Sequence, residues 1–74
     1  MFSCMVYKHN LRKFYYWKHE YERKDIMPHM KREALILLDQ YGQKTIDVGN
    51  SIGFDTTKIK RDLENIIINE KTGV

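Results

Sequence analysis

A chain of 74 residues with 42% apolar and 31% charged residues, one proline and a net charge of +3 is at most one small folded domain. Its longest apolar runs, Ala34–Leu38 and Ile66–Ile68, cannot span a bilayer, and residues 1–7 carry none of the marks of a signal peptide. The single cysteine, Cys4, has no partner for a disulfide or a thiol-based metal site, so a cytoplasmic chain with no membrane partner is expected.

The first element runs from Val6 to Lys24. Leu11, Phe14, Lys18 and Tyr21 recur at helical spacing with Trp17 beside them, which favours an amphipathic helix. The same stretch is rich in aromatics, so a strand over Lys13–His19 paired with Phe2–Tyr7 across a turn at His9-Asn10 is the alternative. Pro28 punctuates the chain, because proline can open a helix and disfavours the helical state of the residue before it. Behind it, Met30, Ala34, Leu37, Leu38 and Tyr41 form one helical stripe, and Gly42 stands where a left-handed C-terminal residue ends a helix. Thr45 is placed to cap a short helix from about Ile46 to Ile52, closed by Gly53. Asp55 is an N-cap for a last helix with the stripe Ile59, Leu63, Ile66 and Ile67.

The most informative stretch is Thr45 to Leu63. Gly49 supplies the small residue that two closely approaching helices need, Gly53 supplies a turn residue tolerant of positive φ, and Val48, Ile52, Phe54, Ile59 and Leu63 are apolar positions that close the corner. This pattern resembles the helix-turn-helix of phage repressor and Cro-type proteins. With Lys31–Gly42 ahead of it, it resembles still more the winged-helix units of the MarR, ArsR and DeoR regulator families. The resemblance covers about 40 residues and implies an all-α fold: a three-helix helix-turn-helix, winged-helix-like core preceded by an additional aromatic–basic helix. Residues 68–74 at most begin a wing. Two segments follow: 1–27, for packing or dimerisation, and 28–74, the helix-turn-helix unit.

The resemblance also implies a site. Thr56, Thr57, Lys60 and Arg61 would face bases in the major groove, with Lys44 and Lys58 on phosphates. The implied partner is duplex DNA and the implied role transcription regulation, without a cofactor. Charge is distributed unevenly: residues 1–32 hold eight Lys/Arg against three acids, a net +5, whereas residues 33–74 hold five against seven, a net −2. The basic arm suits a polyanion, while Asp62 and Glu64 beside the implied site favour the alternative of a protein partner bound as inhibitor or adaptor. Arg12, Tyr15, Tyr16, Trp17 and Lys18 are candidates for stacking on bases or lining phosphates. The stronger expectation for these aromatics is packing, in the core or at a homodimer interface built on Leu11, Phe14, Trp17 and Tyr21. His9, His19 and His29, ten residues apart, lack the spacing of a zinc helix, and no nucleophile–base arrangement or phosphate loop is present, so no enzyme is expected.

Overall fold

The computed structural model describes residues 2–72, with side chains from residue 4 to residue 71, and every regular element in it is helical: α1 (Phe2–Tyr21), α2 (Pro28–Ser51) and α3 (Thr57–Thr72). Local chemistry explains the ends. Pro28 occupies the first turn of α2, where its missing N–H costs no bond, and Met27 before it is extended (φ −75°, ψ 149°). At the other end Gly53 takes φ 80°. Its N–H donates to the Asn50 carbonyl at 3.3 Å, and that of Phe54 to the Gly49 carbonyl at 2.8 Å, the two bonds of a Schellman cap. Asp55, expected as the N-cap of the last helix, stands one residue before it: the Thr56 carbonyl accepts the first helical bond from the Lys60 N–H at 3.0 Å, and the Asp55 carboxylate accepts the Thr57 N–H at 3.0 Å.

Two boundaries differ from expectation. α1 is helical from Phe2, so the hairpin alternative is set aside, and Asn10, expected at its turn, is buried inside the helix with its amide donating to the Val6 carbonyl at 2.8 Å. The expected break after Tyr41 is also absent. The helices expected at about 28–41 and 46–52 are one continuous α2, and three helices stand where four were expected among the described residues. Gly42 serves proximity there, not termination: a Cβ on it would lie 3.0 Å from Cδ1 of Phe14 and 3.2 Å from Cδ2 of Leu63. Thr45 is fully buried and its hydroxyl donates backward to the Tyr41 carbonyl at 2.7 Å, a bond made within a helix and not at its cap.

α1 and α2 lie antiparallel, with Tyr7 opposite Gly49 and Phe14 opposite Gly42. α3 then returns alongside α2, Thr56 against Gly49 and Leu63 against Gly42, and parallel to α1, where the Tyr15 hydroxyl donates to Asp62 (2.9 Å) and that of Tyr21 to Glu70. The result is an up-down-up bundle measuring 39 × 20 × 14 Å. All three helices contribute to one core of Phe14, Leu38, Ile46, Ile59, Leu63 and Ile66, with Tyr7, Leu11, Trp17 and Tyr21 packed against it. Each fully buried side chain of this kind contributes about 1.5–3 kcal/mol. Of the apolar face of α1 that suggested a homodimer in the sequence, Phe14 is wholly buried in this core and Leu11, Trp17 and Tyr21 are half-buried against it.

Candidate nucleic-acid interface

The packing sorts the sequence-derived site residues into three groups. Lys44 is exposed on α2, two positions from both Gly42 and Ile46, so at 100° per residue it lies on the side of the helix turned away from the core. It does not join the others. Thr56 is buried at 4% exposure, its hydroxyl donating to the Asn50 side chain at 2.9 Å and its methyl packed over Gly49, so it latches the corner between α2 and α3. Thr57, Lys58, Lys60 and Arg61 are exposed on the first turns of α3.

Those cations fan outward. Lys60 turns toward α2, where it lines a shallow cleft with Gln43, Ile46 and Glu64. Lys58 turns toward α1: its ammonium donates to the Tyr15 hydroxyl at 3.4 Å, stands 5.3 Å over the Tyr15 ring and 3.7 Å from the Asp62 carboxylate. The bond to Tyr15, aided by nearby Asp62, pushes the Lys58 ammonium up from its ordinary range, while burial and the bond to Asp62 push the Tyr15 phenol up. Arg61 projects between Lys58 and Lys60 without an ion pair among the described residues. Asp55, below the ordinary carboxylate range because Thr57 donates to it from side chain and backbone, holds the start of α3.

The Tyr15 contact brings the basic start of α3 beside the basic helix α1. From Phe2 to His19 the chain carries no acid, and α1 as a whole has four Lys/Arg against one Glu. Phe14 sets the phase of this helix by filling the core, so Lys8, Arg12, Lys13 and Tyr16, with His9 and His19, are left exposed along its outer side. Lys8, Arg12 and Lys13 form no ion pair among the described residues, whereas Lys18 is held by Glu22 at 3.2 Å and Arg23 by Glu20 and Asp25. The resemblance gave no weight to Lys8 or Lys13, since it began at residue 31. Their signal was the acid-free run itself.

α2 is electrically neutral, three Lys/Arg against three acids, and its side facing α3 includes Asp39 in an otherwise apolar cleft lined by Leu35, Ile36 and Ile67, with Glu70 and Lys71 at the rim. Among the described residues no cluster of three His, Cys, Asp or Glu side chains is placed to hold a metal ion, and no helix is long and apolar enough to cross a membrane. No protein-family model matches the chain, and comparison with curated proteins and with solved structures finds no match.

Proposed function

We propose that the chain binds duplex DNA through the flank shared by the outer side of α1 and the start of α3, and acts as a small transcription regulator. The observation that carries this reading is the segregation of charge: Lys8, Arg12 and Lys13 stand exposed and without ion pairs among the described residues on an acid-free stretch of helix, and Tyr15 holds Lys58 beside it. Cations so placed neutralise phosphates and fix orientation without reading sequence. Arg61 and Thr57, exposed on α3, are suited to base edges, arginine to guanine and threonine to a base or a thymine methyl. The reading does not depend on a winged-helix arrangement or on Lys44; a major groove about 12 Å across admits a single α-helix, as the start of α3 would require.

A protein partner is the second reading, favoured by the apolar cleft of Leu35, Ile36 and Ile67 between α2 and α3. Of the two acids the sequence offered to such a partner, Asp62 is occupied by Tyr15 and Lys58, whereas Glu64 stays exposed. Amide chemical shifts followed during titration with a mixed-sequence duplex separate the two. Shifts concentrated at Lys8, Arg12, Lys13 and residues 57–61 are expected; shifts centred on residues 35, 36 and 67, or none at low salt, would overturn the DNA reading.

A further inference from the structure

We propose that Tyr16 is a stacking platform for an unpaired base, so that the outer side of α1 takes single-stranded nucleic acid. The proposal rests on the reading of that side as a phosphate-binding surface and specifies what else it holds.

Among the aromatic residues of α1 whose side chains are described, all but one have assigned places. Phe14 is wholly buried, Tyr7 meets Phe54 edge to face at 4.8 Å, and Trp17 packs against the core. Tyr15 is bonded to Asp62, and Tyr21 to Glu70. Tyr16 has neither a core contact nor a side-chain hydrogen bond among the described residues, and it is 55% exposed. Its ring is nevertheless held, edge to face against Trp17 with centroids 5.0 Å apart and planes at 86°. Two features of that position point to a nucleobase. Arg12 and Lys13 lie one turn toward the N-terminus, both exposed, so the ring stands beside two cations that attract a phosphate backbone. The acid one turn on, Glu20, is drawn away by Arg23 at 3.2 Å. An aromatic ring beside backbone-tracking cations is an arrangement that binds single strands, because every base offers a π-face whatever its identity. Paired bases offer the grooves only their edges, so the ring gains little from an intact duplex.

The test compares a pyrimidine single strand with a duplex of the same length, read by anisotropy and by quenching of Trp17, the only tryptophan in the chain. Stacking contributions by alanine substitution predict that Tyr16→Ala lowers single-strand affinity about 10- to 100-fold and changes duplex affinity by less than about 2-fold, and that Tyr16→Trp retains it. Quenching on binding is expected in the unsubstituted protein. An unchanged single-strand affinity in Tyr16→Ala, an equal loss on both polymers, or capture by phosphatidylserine vesicles with no single-strand binding would overturn the proposal. Duplex binding that ignores Tyr16 leaves the DNA reading standing; failure to hold either polymer removes both.

Discussion

A methyl group added at Gly49 would come to 2.6 Å from Cγ2 of Thr56 and 2.9 Å from Cε1 of Tyr7. Neither neighbour yields easily, since the Thr56 hydroxyl is tied to Asn50 and Tyr7 is packed on Phe54. Gly49→Ala would gain up to about 1 kcal/mol of helix propensity but meets overpacking of about 1–3 kcal/mol, so a net destabilisation is expected. Its measure is a melting temperature lower by several degrees; an unchanged or higher value would show that the corner is looser than these contacts imply. The need for a small residue at 49 was legible in the sequence, whereas Gly42 was misread as a helix end because nothing in the local pattern shows that Phe14 and Leu63 close over it. Tyr21 makes a second residue-scale prediction. Partial burial, then its bond to Glu70, raises the phenol from 10.0 to about 12. The folded chain therefore keeps a proton that the unfolded chain releases above pH 10, and stability present below pH 10 is lost as pH rises toward 12. Tyr15 shifts in the same direction. In urea unfolding followed across that window, Tyr21→Phe should lose stability less steeply than the unsubstituted chain; equal steepness would contradict the assignment.

The elements were read well where termini carry their own chemistry. Pro28, Gly53 and Asp55 marked ends that α2 and α3 use, because each acts through backbone geometry within a few residues. α1 was harder: four successive aromatics, Phe14 to Trp17, satisfy a helical or an alternating period equally, and the choice is made by α2. Ala34, Leu38, Gly42 and Gly49, all buried, present a surface low enough for a helix to lie close, and Phe14 fills it. The continuity of α2 can be tested directly. Proline at the exposed position 43 would remove the amide hydrogen and clash with the carbonyl of Asp39, a cost of about 3 kcal/mol or more inside a helix. Gln43→Pro should therefore lower helical circular dichroism and stability sharply. Tolerance of it would indicate the break after Tyr41 that the glycine suggested.

At the scale of the whole molecule, one core joins residues on both sides of Pro28, and the charge of the chain is shared unequally among its helices. The basic arm was legible as composition. Which of its cations face outward was not, because that depends on the helix phase set by Phe14 against α2, and the same phase withdrew Tyr15 and Trp17 while leaving Tyr16 and Arg12 outside. The grouping of Lys58 with α1 likewise depended on a contact between residues 43 positions apart. The measurement that tests this account most directly is the salt dependence of duplex affinity. Each phosphate neutralised contributes a slope of about −0.9 in log K against log salt. With Lys8, Arg12, Lys13, Lys58 and Arg61 in contact, the expected slope is about −4 to −5 per chain, and Lys8, Arg12 and Lys13 changed together to Gln should weaken it by about 2 to 3. The same change at Lys31, Arg32 and Lys44 should leave it in place. A flat salt response, or an equal loss from both sets, would contradict a DNA-binding flank on α1 and α3.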